Sequence, residues 1–131
     1  MSGIPLVEDL MDHKFPTVRP DTRIEEAIDL LVDKNLIGVL VVDEAGELRG
    51  IFSEKDSLRT LLRDSFHQLP DDVVESFMHE PPATVDSKMD IVRVAQIFLG
   101  NNFRRLPVVD DGRLVGQITR RDIVRGMRKY R

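Results

Sequence analysis

The sequence predicts a mixed α/β (α+β) fold built from two tandem copies of one β-α-β-β-α unit, assigned to residues 1–65 and 66–131. Three observations carry this: an internal duplication, helical stripes alternating with short β-branched runs, and a glycine turn at the same place in each copy. Sliding the chain by 67 residues lays Val7-Glu8 on Val74-Glu75, Met11 on Met78, and Thr17-Val18 on Thr84-Val85. The same shift lays Ile24 on Ile91, Asn35 on Asn102, and Val41-Val42-Asp43 on Val108-Val109-Asp110. One residue is then lost in a turn. A shift of 66 matches Gly46, Leu48, Gly50, Asp56 and Arg59 with Gly112, Leu114, Gly116, Asp122 and Arg125. Fifteen identities with a single gap mark a tandem duplication.

Each unit opens with a short helix, around 7–11 and again at 73–78, followed by an extended piece at Thr17-Val18 or Thr84-Val85. Thr22-Arg23-Ile24-Glu25 has the spacing of a capping box. The helix it opens places Ile24, Ala27, Ile28 and Leu31 on one face. In the second copy Asp86 or Ser87 is the expected helix start, and Ile91, Val94, Ala95 and Phe98 form the stripe. The continuous runs Val39-Leu40-Val41-Val42 and Leu106-Pro107-Val108-Val109 read as buried strands. Hairpin turns follow at Asp43-Glu44-Ala45-Gly46 and Asp110-Asp111-Gly112, with partner strands at 48–52 and 114–118. Pro107 predicts an edge or strand-start position. Residues 64–71 read as the linker between copies. Each unit needs a cover for its sheet, so the two are expected to pack sheet to sheet, with pseudo-two-fold symmetry.

Composition narrows the function. At 41% hydrophobic and 32% charged residues the chain is ordinary for a globular protein. It has no apolar run of about 18 residues, so no transmembrane helix is predicted. With no cysteine there is no thiol nucleophile and no Cys-ligated zinc, which fits a cytoplasmic location. Residues 1–65 hold 8 Lys/Arg against 14 Asp/Glu, and residues 66–131 hold 11 against 9. The net charge is −4 with 5% aromatics, where a nucleic-acid binder is expected to be basic with interleaved aromatics. The basic residues of the second copy (Arg104, Arg105, Arg113, Arg120, Arg121 and Arg125) therefore suit a small anionic ligand better. His13, His67 and His79 show no metal-ligand spacing.

The stretches Gly50-Ile51-Phe52-Ser53-Glu54-Lys55-Asp56 and Gly116-Gln117-Ile118-Thr119-Arg120-Arg121-Asp122 close the two copies. Each is a strand end, a hydroxyl residue, and an aspartate three positions later at a helix start. Ser53 and Thr119 are predicted N-caps, and Asp56 and Asp122 reach back to the cap N–H. The plain reading is two ordinary helix starts. A short carboxylate beside a hydroxyl and free N–H groups is also able to hold a sugar diol and a phosphate. The motif places no histidine base beside Ser53 or Thr119, so neither is a nucleophile candidate and no catalytic residue is assigned.

The ordered series of repeat, Leu106-Pro107-Val108-Val109-Asp110 run, glycine turn and Gly-x-x-Thr-x-x-Asp close resembles a CBS domain. Two in tandem resemble a CBS-domain pair, or Bateman module, over nearly the whole chain. The resemblance implies adenosine-bearing ligands (AMP, ADP, ATP, S-adenosylmethionine, sometimes NAD) held in clefts between the repeats. It also implies a homodimer and a regulatory rather than enzymatic role. In one cleft Asp122 would take the ribose hydroxyls, Thr119 and its helix N–H groups the α-phosphate, and Arg105 the phosphates. Pro16, Thr17, Leu36 and Ile37 would sandwich the adenine. In the other cleft the equivalents are Asp56, Ser53, Ala83, Thr84, Phe103 and Arg104. The first copy departs from the pattern: Gly38 stands where Arg105 stands, Leu40 replaces Pro107, and Glu54 follows Ser53. The Asp122 motif is therefore expected to be the better site. The implied protein is a nucleotide sensor acting on a protein partner in trans; the alternative is a structural dimerisation module that binds no nucleotide.

Overall fold

The computed structural model describes residues 3–63 and 72–129, so the linker expected at 64–71 lies outside the described residues. The elements run α1 (Val7–Leu10), β1 (Thr17–Val18), α2 (Ile24–Asp33), β2 (Gly38–Val42), β3 (Leu48–Ser53) and α3 (Glu54–Thr60). A 3-10 turn at Val74–Ser76, α4 (Ile91–Leu99), β4 (Arg105–Asp110), β5 (Arg113–Thr119) and α5 (Arg120–Met127) complete the chain. By contact it forms two compact units: a contiguous one of residues 16–81, and a split one of residues 1–15 with 82–131. Each unit thus joins the body of one copy to the leading segment of the other. Val7 is buried among Val94, Leu106 and Ile118, while Val74 is buried among Ile24, Val41 and Phe52.

In the contiguous unit β1 pairs parallel to β2 and β2 antiparallel to β3. Val39, Leu40 and Val41 are buried in succession, as a strand covered on both faces requires. Ile24, Ala27 and Leu31 turn the apolar stripe of α2 onto this sheet. Among the described residues, the split unit has a two-stranded sheet, β4 antiparallel to β5, with one parallel bridge from Val85 to Val108. Pro107 explains why only one bridge forms. Its carbonyl accepts from Val85 N–H at 3.0 Å, but a second bridge at Thr84 would need an N–H at position 107, which proline lacks. Leu40 supplies that N–H in the other copy, where Thr17 and Val18 both pair.

The turns differ for a visible reason. Asp111 (φ 51°) and Gly112 (φ 83°) are both left-handed, the requirement of a two-residue type I′ hairpin loop. The longer turn of the first copy is pinned by Asp43 Oδ1, which accepts from the N–H groups of Ala45 (2.9 Å) and Glu47 (3.0 Å).

Two predicted helix starts are corrected. The Thr22 capping box does not form. The Thr22 hydroxyl closes the preceding turn by accepting from Arg19 N–H, leaving Arg23 at the N-cap without a side-chain cap bond. The helix of the second copy starts at Ile91, not near 86–87, because Asp90 caps it through Arg93 N–H. Ser87 instead donates its hydroxyl (2.6 Å) and N–H (3.0 Å) to Asp110, whose carboxyl is thereby held below the ordinary value.

The leading segments dock on glycines. Ile51 and His79 exchange two backbone hydrogen bonds (2.8 and 3.0 Å), and Gln117 and Asp12 exchange two at the same distances. A Cβ on Gly50 would sit 2.9 Å from the His79 carbonyl oxygen. One on Gly116 would sit 3.0 Å from that of Asp12. Gly50 and Gly116 are therefore required by close backbone approach, and the segments around residues 12 and 79 occupy equivalent positions in the two units.

Candidate functional site

The closing motif of each copy folds into the predicted capping box. In the split unit Thr119 ends β5 in extended geometry, its hydroxyl accepting from Asp122 N–H at 3.1 Å. Asp122 Oδ2 accepts in return from Thr119 N–H at 2.9 Å. In the contiguous unit Ser53 and Asp56 make the same reciprocal pair, at 3.2 and 2.8 Å. The shorter aspartate at N3 closes the box in both copies.

The two carboxylates are not alike. A carboxylate offers about four lone-pair sites over its two oxygens. Among the described residues Asp122 receives two bonds, one from Thr119 N–H on Oδ2 and one from Arg125 on Oδ1. Those two bonds leave one acceptor site on each oxygen of a side chain that is itself only 9% exposed. Asp56 receives four: Ser53 N–H, the Ser53 hydroxyl and His79 Nδ1 on Oδ2, all at 2.8 Å, and Arg59 on Oδ1 at 2.6 Å. Its side chain is fully buried.

Cations differ as well. Arg105 opens β4 opposite Thr119, and directly opposed residues share a face of an antiparallel pair, so the half-buried Arg105 lies on the same face as Thr119. Gly38 is opposite Ser53 in the other copy, which has no such cation. Arg121 is exposed beside the motif. Arg120 is held within its own unit, over the Phe98 ring (5.9 Å) and toward the Asn101 carbonyl (3.4 Å).

Of the residues singled out from the sequence, Asp122, Thr119 and Arg105 come together at one end of the split unit, which also holds Ala83, Thr84, Phe103 and Arg104. Pro16, Thr17, Leu36, Ile37, Ser53 and Asp56 belong to the contiguous unit. Pro16, Thr17, Thr84 and Arg104 are exposed, while Phe103 and Leu36 are half-buried against the cores of their own units. Three participants were not assigned from the sequence: Arg125, Arg59 and His79. The arginines carried a signal, since they match in the duplication and stand three residues after the aspartates, on the same helix face. His79 carried none, because its counterpart is Asp12. No helix among the described residues is long and apolar enough to cross a membrane.

Comparison with known proteins places this arrangement. The family model described as "CBS domain" matches residues 7–63 and again 74–129. The chain is 32% identical to the chloroplastic CBS domain-containing protein CBSX1 of Arabidopsis thaliana, over 95% of its own length. Among curated relatives it spans 64% of CBSX1 and 41% of an uncharacterized protein of Methanocaldococcus jannaschii. The crystal structure of CBSX2 in complex with AMP superposes with a TM-score of 0.80 at 33% identity, covering 95% of this chain and 97% of that one. The CBS domain pair of protein MJ0100, in complex with 5-methylthioadenosine and S-adenosyl-L-methionine, superposes with a TM-score of 0.68 at 28% identity. That match covers 98% of this chain and 99% of the other.

Proposed function

Because this chain belongs to the CBS-domain family and carries two of its domains in tandem, we propose that it is a regulatory module, not an enzyme, that binds an adenosine-containing nucleotide and signals to a protein partner. AMP, ADP, ATP and S-adenosylmethionine are the ligand class. The observation that carries this reading is Asp122, whose carboxylate keeps one open acceptor on each oxygen, the demand of a ribose diol, beside Thr119 and Arg105. The phosphate of such a ligand would meet the Thr119 hydroxyl, the first N–H groups of α5 and the Arg105 guanidinium. The AMP-bound CBSX2 and the S-adenosylmethionine-bound MJ0100 pair support the ligand class.

The test is differential scanning fluorimetry against AMP, ADP, ATP, NAD and S-adenosylmethionine. At ligand about 100-fold above its dissociation constant, binding to the native state alone adds roughly 2.7 kcal/mol, a shift of several degrees for a chain of this size. A shift for one ligand identifies the signal. No shift for any of them overturns the reading in favour of a structural dimerisation module.

A homodimer is part of the same proposal. Val32 and Leu58 are exposed on α2 and α3, and Leu99 and Val124 on α4 and α5. Val32 and Leu58 flank a groove of about 550 Å³ in the contiguous unit. Equivalent apolar faces in both copies suit a second copy of the chain, whose two-fold contact brings like patches together. Sedimentation velocity is expected to give twice the chain mass, and Leu58→Glu with Val124→Glu to return it to one. A wild-type monomer at high micromolar concentration overturns this part. A cytoplasmic location belongs to the same proposal, although the relative CBSX1 is chloroplastic, and fluorescence of a tagged copy in its host cell checks it.

A further inference from the structure

The two closing motifs differ at one position that neither motif contains. Residues 12 and 79 occupy the same place on their units, each exchanging two backbone hydrogen bonds with the residue after the strand glycine. From that place His79 extends its ring to Asp56 and puts Nδ1 2.8 Å from Oδ2. Facing a carboxylate oxygen that already accepts two bonds, this nitrogen carries the hydrogen and donates. With Ser53 N–H and the Ser53 hydroxyl it puts three bonds on Oδ2, while Arg59 puts one on Oδ1, on a side chain with no exposed surface. Asp12 cannot do the same for Asp122, since an ionised carboxylate has nothing to donate. Its Oδ1 turns back to accept from Lys14 N–H at 3.0 Å.

We infer that His79 is a built-in occupant of the Asp56 carboxylate, and that the residue at this position decides which closing motif is open to a ribose. His79 covers Oδ2, one of the two oxygens a diol needs, so the chain itself closes the Asp56 copy to a two-point contact. Asp12 leaves the Asp122 copy open. A diol entering at Asp56 would find one free site, on Oδ1, and to reach Oδ2 it would have to displace a bonded ring from a desolvated carboxylate. The selectivity therefore rests on acceptor supply, independently of the missing cation at Gly38. The inference deepens the nucleotide reading above and depends on it.

Calorimetric titration of the full chain with AMP tests it. The wild-type protein is expected to take one AMP per chain, and Asp122→Asn to weaken that binding at least about tenfold, the factor that 1.4 kcal/mol represents. Asp12→His, which installs the closing ring in the open copy, is expected to weaken AMP by a similar factor. Asp12→Asn, which removes the charge but brings no ring, should bind within about twofold of wild type. Position 12 is exposed, and a melting curve verifies that both variants fold. Two equivalent AMP per wild-type chain, or wild-type affinity in a folded Asp12→His, overturns the inference while leaving the nucleotide reading intact. Absence of AMP binding to the wild-type chain overturns both for this ligand.

Discussion

Gly50→Ala is expected to lower stability by about 2–3 kcal/mol, a large effect for one methyl group. The added Cβ would stand 2.9 Å from the His79 carbonyl and 3.0 Å from Met78 Sδ. The sulfur is able to swing aside, but the carbonyl belongs to a backbone bonded twice to Ile51. To admit the methyl group, the segment carrying Met78 and His79 must lift from β3. That weakens two hydrogen bonds and the seat of Val74, which is fully buried in the core of the contiguous unit. Gly38→Ala is the matched control in the same sheet. Its Cβ would meet nothing closer than 3.5 Å, so it should change stability by less than about 1 kcal/mol and in either direction. Thermal melts of the two variants beside wild type decide it. Equal melting temperatures would mean that the leading segment does not hold this close approach in solution. The same displacement moves His79 away from Asp56, so Gly50→Ala also disturbs the closed motif from a distance.

How much of this was legible in the sequence depends on the range of the interaction. Local chemistry was readable. The stripe of α2, the β-branched runs of β2 and β4, and the Asp-Gly turn at 110–112 all lie where the spacing puts them. The capping boxes at Ser53 and Thr119 do as well. The misreadings came where two local solutions competed. Thr22 had a glutamate three residues on, but its hydroxyl was better used in the preceding turn. Asp86 and Ser87 looked like caps, but Asp90 stood nearer the first apolar residue of the stripe and Ser87 had Asp110 to bond. Neither choice is visible without knowing what each hydroxyl meets in three dimensions.

The site divides in the same way. Asp122, Thr119 and Arg105 were marked by the motif and by the missing cation at Gly38, and β4-β5 pairing sets Arg105 opposite Thr119. What the duplication concealed is that the leading segments fold with the opposite copy. Val7 and Val74 match each other in sequence, yet each is buried among residues of the other repeat. That crossing sets His79 against Asp56, 23 residues away, in a contact no spacing rule reports. A repeat argument treats equivalent positions as equivalent in role. It fails at 12 and 79, where the side chains have opposite hydrogen-bonding capacity.

The second large effect is on ligand affinity. Asp122→Asn is expected to weaken the adenosine ligand at least about tenfold while shifting the melting temperature by no more than a few degrees. Asparagine caps helices about as well as aspartate, and its carbonyl oxygen still accepts from Thr119 N–H. The lost partner is Arg125, more than half exposed, and an ion pair of that kind contributes under about 1 kcal/mol. The ribose hydroxyls, by contrast, lose one acceptor outright and the charge behind the other. Hydrogen bonds to a charged group contribute about 1.5–3 kcal/mol each, and tenfold is 1.4 kcal/mol. Asp56→Asn should behave in the opposite sense. Its amide would turn a donor toward Arg59 or toward the His79 and Ser53 donors, inside a fully buried position, at a cost of about 1–3 kcal/mol in stability. Calorimetry and melting curves on both variants separate the roles: affinity falls with Asp122, stability with Asp56. If Asp122→Asn binds AMP, ATP and S-adenosylmethionine as wild type does, the open carboxylate is not the ribose acceptor. If instead it melts as early as Asp56→Asn, Asp122 is a structural cap and nothing more.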